Sequence, residues 1–150
     1  MSWKRFEVEA PALAAEGRRL IFRGETGKGL LATVRGAGLP RVHPVWVAIH
    51  EGRLVTFTTP SAKLADLERD GRFAFHAHVD PVEPSEFLIR GRATPIAGAA
   101  RRSIEEVWPF TPGPDYGLFE LGEEAVVAGH RADEDDYPPR YTSWRASSDR

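Results

Sequence analysis

The hydrophobic and polar positions of this chain change period several times, and each change predicts an element. Pro11 opens a small-residue stretch, Ala12 to Arg19, that reads as a short helix, since proline is tolerated in a first helical turn. The glycine-rich run Gly24-Glu25-Thr26-Gly27-Lys28-Gly29 reads as a loop. Leu30 to Arg35 is a predicted strand, Gly36-Ala37-Gly38 a turn, and Arg41 to His50 a second strand. Glu51-Gly52 is another turn, and Leu54 to Thr58, rich in β-branched and aromatic residues, is a third strand. Strands joined by short glycine turns predict an antiparallel meander.

After Pro60 the spacing becomes helical across Ser61 to Arg69, with Ser61 or Thr59 as the N-cap and Asp70-Gly71 as the stop. Phe73 to Val79 alternates with period two, Asp80 to Ser85 holds two prolines and reads as a loop, and Phe87 to Ile96 is a fifth strand. A second helix is expected over Ala99 to Trp108 and a loop from Pro109 to Gly117. A last strand follows over Leu118–Leu121 and Ala125–Ala128, with a bulge at Gly122. From about residue 132 the chain reads as a polar tail, and no repeat or linker divides the 150 residues, so one domain is expected. About six strands, few helices and mostly hairpin connections predict a mainly β protein, an antiparallel barrel rather than a parallel sheet.

Composition narrows the function. Twenty basic against 22 acidic residues, a net charge of −2, give no general attraction to nucleic acid or to an anionic membrane. The absence of cysteine excludes a disulfide framework, a thiolate metal site and a thiol nucleophile. The first residues lack the apolar core of a signal peptide and no apolar run is long enough to span a bilayer, so a cytoplasmic location is the default expectation.

Most candidate motifs fail on chemistry. A phosphate-binding P-loop would need glycine at position 22 and a hydroxyl residue at 29, where Phe22 and Gly29 stand. His76 and His78 share a strand face without an evident third metal ligand, so no metal is expected. No Gly-x-Ser-x-Gly elbow is present, and Asp133 to Asp136 reads as a solvated loop. What remains is Thr58-Thr59-Pro60-Ser61-Ala62-Lys63. There a strand ends, hydroxyls follow, and a lysine sits on the first turn of a helix, whose free N–H groups and positive dipole end suit a phosphate.

The ordered set Leu31-Ala32-Thr33-Val34-Arg35, Pro40-Arg41-Val42-His43-Pro44-Val45-Trp46, Pro60-Ser61-Ala62-Lys63 with Leu67 and Arg69-Asp70-Gly71-Arg72, and Phe87-Leu88-Ile89-Arg90-Gly91-Arg92-Ala93 resembles the pyridoxamine 5′-phosphate oxidase-like, FMN-binding split-barrel superfamily. The resemblance covers about residues 12 to 97, and Pro138 to Arg145 is similar to endings of actinobacterial-type members. It implies a homodimer with FMN at the subunit interface and a small-molecule substrate. It implies that Lys63 and Ser61, with Thr58 or Thr59, hold the cofactor phosphate, and that Arg41, Val42, His43, Pro44 and Val45 lie along the ring, with Trp46 directed to core or ring. Residues near Glu86-Phe87, and Trp144 or Arg145, are implied to reach in from the partner subunit. The tail Arg140 to Arg145 lacks the Arg/His cluster that binds substrate phosphate in authentic pyridoxamine phosphate oxidases, and Ala62 stands where a second basic residue is often found. The expected function is therefore an FMN-dependent oxidoreductase of unassigned substrate. The alternatives are an F420-dependent reductase on the same fold, or a non-enzymatic flavin- or haem-binding protein with His43 or His76 as candidate haem ligand.

Overall fold

A computed structural model describes residues 2–148. In chain order the elements are α1 (Ser2–Glu9), α2 (Pro11–Ile21), β1 (Gly27–Val34), β2 (Pro40–His50), β3 (Arg53–Thr58), α3 (Ala62–Arg69), β4 (Arg72–Ala77), β5 (Glu86–Pro95), α4 (Gly98–Val107), β6 (Gly117–His130) and β7 (Arg140–Arg145). All strand pairs are antiparallel. The sheet runs β3-β2-β1-β4-β5-β6-β7, and β3 also pairs with β6, which closes six strands into a barrel. The long β6 makes this possible. Its first residues, Gly117 to Glu120, pair with β3, while Ala125 to His130 diverge to pair with β7.

Closure needs a sharp change of direction, and a bulge supplies it. Arg90 pairs with Ala125 but Gly91 pairs with Glu123, so the extra residue is Glu124, two positions beyond the expected Gly122. Gly91 sits there because a Cβ would run into the Gly122 carbonyl oxygen. At the β2–β3 hairpin, Glu51 and Gly52 both have positive φ, 49° and 74°, as a two-residue turn between twisted strands requires.

Alternation then sorts side chains into two cores. Leu31, Val45, Val47, Leu54, Phe73, Phe75, Phe87, Ile89, Phe119, Leu121 and Val126 fill the main core, together with Trp3, Phe6, Leu20 and Ile21 from α1 and α2. A smaller core of Val55, Phe57, Leu118, Ile96, Ile104 and Trp108 lies where α4 covers β3 and β6. Two elements were not legible in the sequence. The first residues form α1, whose Trp3 and Phe6 are fully buried. The polar tail contributes β7, and its Trp144 packs on Phe6, ring centroids 5.0 Å apart, and donates Nε1–H to Glu9 at 3.0 Å. No helix among the described residues is long and apolar enough to cross a membrane.

Candidate functional site

The entry to α3 is built around one buried carboxylate. Asp66 is 2% exposed. Its Oδ2 accepts from the Thr33 hydroxyl of β1 at 2.8 Å and from Arg41 Nε of β2 at 2.9 Å, and its Oδ1 accepts from Arg69 Nη2 at 3.1 Å. Burial alone would push this carboxyl up, but the bonds from Arg41, Thr33 and Arg69 hold it below the ordinary carboxylate range. Arg69 also donates to the Val34 carbonyl at 2.9 Å. Helix α3 is thereby tied to the first two strands, and its first turn is held beside β2.

That first turn carries Lys63. Ser61 is the N-cap: its Oγ accepts from Leu64 N–H at 3.5 Å and donates to the Thr59 carbonyl at 2.9 Å. Thr58 is fully buried and donates to the Gly117 carbonyl at 3.4 Å, whereas Thr59 is exposed. Lys63 is half-buried and has no ion pair or hydrogen bond among the described residues. Burial lowers its pKa. A partly desolvated ammonium group without an anion is suited to receive one.

Lys63 and Thr59 line a groove of about 390 Å³, within the size range of small-molecule sites. Pro44, Val45 and Trp46 of β2, Phe57 of β3, Lys28 of β1 and His78 just after β4 line it, and the connection after α4 adds Trp108, Phe110 and Tyr116. The aromatic rings form a continuous wall: Phe57–Trp108 centroids lie 4.9 Å apart, Trp108–Phe110 6.2 Å and Trp46–Phe110 5.6 Å. Arg101 on α4 fixes this wall. Its guanidinium donates to the Tyr116 carbonyl at 2.6 Å and to Glu105 at 2.7 Å, and it lies 5.3 Å from the Phe57 ring centroid. The lining contains three basic side chains and no carboxylate.

The structure brings together only part of the expected set. Thr59, Lys63, Pro44 and Val45 meet at the groove. Arg41 and His43 belong to the face of β2 opposite Pro44 and Trp46. Arg41 is committed to Asp66. His43 is held below its ordinary pKa by burial and by the positive charges of Lys63 and Arg41, against the opposing pull of Asp66, and its Nε2 is buried without a partner. Val42 lies on the outer face and is 57% exposed. Thr58 and Ser61 serve the local backbone. Trp144 is tied to Glu9 and Phe6 of its own chain, Phe87 is core, and Glu86 accepts from the Tyr141 hydroxyl at 3.1 Å. His76 is bonded through Nδ1 to the Ala77 carbonyl at 2.6 Å, and neither it nor His43 lines the groove.

Sequence reasoning did not single out Phe57, Trp108, Phe110 and Tyr116 as site residues. A signal was present in the segment from Trp108 to Tyr116, where three aromatics alternate with Pro109, Pro112 and Pro114 in a loop that would otherwise be polar.

No protein-family model matches the sequence, and no curated protein matches it. Solved structures do resemble the fold. A general stress protein 26-related protein of the pyridoxinephosphate oxidase family from Clostridium acetobutylicum is 13% identical, with a TM-score of 0.60, covering 95% of this chain and 95% of that one. PhzG from Burkholderia lata, solved with tetrahydrophenazine-1-carboxylic acid, is 12% identical with a TM-score of 0.63, over 98% and 89% of the two chains. A heme binding protein from Mycobacterium smegmatis is 20% identical with a TM-score of 0.63. That match covers 87% of this chain but 57% of the other, so this chain spans little more than half of that protein. The chain shares the split-barrel fold of pyridoxamine 5′-phosphate oxidase-like proteins.

Replacing Asp66 by Asn keeps the shape but removes the charge that three donors satisfy. Asp66→Asn is expected to cost about 2 kcal/mol at pH 7. Because the folded-state pKa is depressed, this stabilisation is present above the unfolded value of 3.8 and is lost as pH falls through the lower folded value. Urea unfolding of both proteins should therefore diverge at pH 7 and converge in acid. Equal stability at pH 7 would show that the carboxylate does not hold α3 in place.

Proposed function

We propose that this split barrel binds FMN in the groove between β2, the start of α3 and the aromatic wall, and that it acts as a flavin-dependent oxidoreductase on a small molecule. The observation that carries the reading is Lys63, a half-buried lysine with no anionic partner among the described residues, at a helix N-terminus that closes an aromatic groove. The donor set fits a phosphate: the Lys63 ammonium, the Thr59 hydroxyl and the uncapped first-turn N–H groups of α3. The strand Pro44-Val45-Trp46 and the rings of Phe57, Trp108 and Phe110 fit a flat, largely apolar ring system.

A bound flavin supplies hydride or electron transfer to a substrate stacked on its open face. The protein's own residues bind and orient it. Lys63 and Thr59 fix the phosphate end, β2 supplies backbone donors and acceptors along one ring edge, and the aromatic wall excludes water from the ring. No side chain need act as general acid or base for this role. A deazaflavin such as F420 would use the same groove and lysine, and the absorbance of the purified protein separates the two. For the haem alternative, the only imidazole lining the groove is that of His78.

The reading includes a homodimer. The outer face of β2, β1 and β4 carries the apolar row Val42–Ala32–Ala74 and beside it Pro44–Leu30, which ends at His76, aligned by the strand register. Val42, Leu30 and Trp46 are 57%, 41% and 44% exposed, an unusual cluster on a monomer's surface. This face borders the groove, so a second copy seated on it would close the open side of the cofactor site.

Two outcomes test the proposal. Lys63→Ala should weaken FMN binding about tenfold to a hundredfold, the worth of roughly 1.5–3 kcal/mol for a charge-assisted contact, and leave riboflavin, which lacks the phosphate, almost unaffected. Wild-type FMN affinity should also fall as pH rises through the lowered pKa of Lys63. An unchanged FMN constant in the variant removes Lys63 from the site. In sedimentation the wild type should run as a dimer at micromolar concentration, and a Leu30→Glu, Val42→Glu double variant as a folded monomer. A monomeric wild type would refute the assembly.

A further inference from the structure

The groove has a second basic group, on β1 and just after β4, across β2 from the β3–α3 segment that carries Lys63. Lys28 on β1 is paired with Trp46 on β2, and Gly29 is paired with Ala77 at the end of β4. One antiparallel step further, Lys28 comes opposite His78. Trp46, Lys28 and His78 thus form a row across the outer face, and all three line the groove. Cross-strand neighbours normally offset charge with an opposite charge. Here neither Lys28 nor His78 has a hydrogen bond or ion pair among the described residues.

Among the described residues, Glu25 lines a neighbouring depression that Trp46 also borders, but no Asp or Glu lines the groove. None lines the adjoining depression of about 250 Å³ either, which Lys28 and His78 border together with Arg23. Glu83, which pairs with Arg23 of that depression, is engaged by Arg19 and Arg23 at 3.0 Å each. That engagement by Arg19, set against burial and aided by Ser85 and Arg23, holds the Glu83 carboxyl at about 2. The aromatic groove therefore carries a lysine on either side of β2. If Lys63 is taken by the cofactor phosphate, Lys28 faces whatever else the groove holds.

We propose that Lys28 and His78 form an oxyanion subsite for the substrate, which is a flat, apolar molecule carrying a carboxylate. Its anionic group lies against Lys28 and His78, and its ring lies beside the flavin in the same groove. The assignment of the two lysines rests on the reading in which Lys63 holds the cofactor phosphate.

Calorimetric titration of the full chain, with and without saturating FMN, uses two probes of nearly equal shape, 1-naphthoate and the uncharged 1-naphthamide. The wild type should prefer naphthoate by about threefold to tenfold, the range for a partly solvated ion pair. Lys28→Gln should abolish that preference, Lys28→Arg should retain it, and Lys63→Ala should leave it in place. FMN affinity should be unchanged in Lys28→Gln. Equal binding of the two probes by the wild type overturns the subsite. So does a preference that follows Lys63 instead of Lys28. A loss of FMN affinity in Lys28→Gln as large as in Lys63→Ala also overturns it, by giving Lys28 to the cofactor. Protein that takes up no FMN yet keeps a Lys28-dependent preference contradicts the cofactor reading while supporting the subsite.

Discussion

Asp66 is the constraint from which the site follows. A carboxylate with 2% exposure is tolerable only when its lone pairs are satisfied, because an uncompensated buried charge costs several kcal/mol. Thr33, Arg41 and Arg69 satisfy it from β1, β2 and the helix's own last turn. The helix cannot slide or rotate without breaking one of these bonds. Its N-terminus therefore opens beside Pro44 to Trp46, and Lys63 lines the groove. The buried acidic group positions the helix, and the lysine is left without an anionic partner among the described residues.

Barrel closure does the rest. With β3 paired to β6, residues on alternate positions of β2 have separate fates. Val45 and Val47 enter the core, and Pro44 and Trp46 stand on the outer face. Helix α4 then covers β3 and β6 and carries the segment from Trp108 to Tyr116 over the groove, where Arg101 pins it through two backbone carbonyls. The aromatic wall is thus part of the smaller core, with Phe57 and Trp108 packed on one side and facing the groove on the other.

Much of the fold was legible because local signals agreed with it. The turns at Gly36–Gly38 and Glu51-Gly52 and the Ser61 cap appear where the sequence predicts them, whereas Gly27-Lys28-Gly29, expected in a loop, begin β1, and β4 ends at Ala77, short of Val79. The bulge was displaced to Glu124 because the steric demand falls on Gly91 of the neighbouring strand, which single-strand reading does not weigh. Helix α1 and strand β7 escaped notice because each is short and polar on one face, and each is stabilised by the other through Trp144, Phe6 and Glu9. The site was legible at Thr59 and Lys63, where chain order alone creates the chemistry. It was not legible for Arg41 and His43, since contiguity in sequence conceals the strand's alternation. Nor was it legible for Lys28 and His78, which become neighbours only through the pairing of β1 with β4.

The central claim is that Lys63 receives a cofactor phosphate while the ring lies along β2. A crystal structure of the protein grown with FMN tests it most directly. The account predicts phosphate oxygens within hydrogen-bond distance of Lys63 Nζ and the first-turn amides of α3, with the ring system against Pro44, Val45 and Trp46. An FMN phosphate seated elsewhere, or a groove that excludes the flavin under saturating conditions, would contradict it.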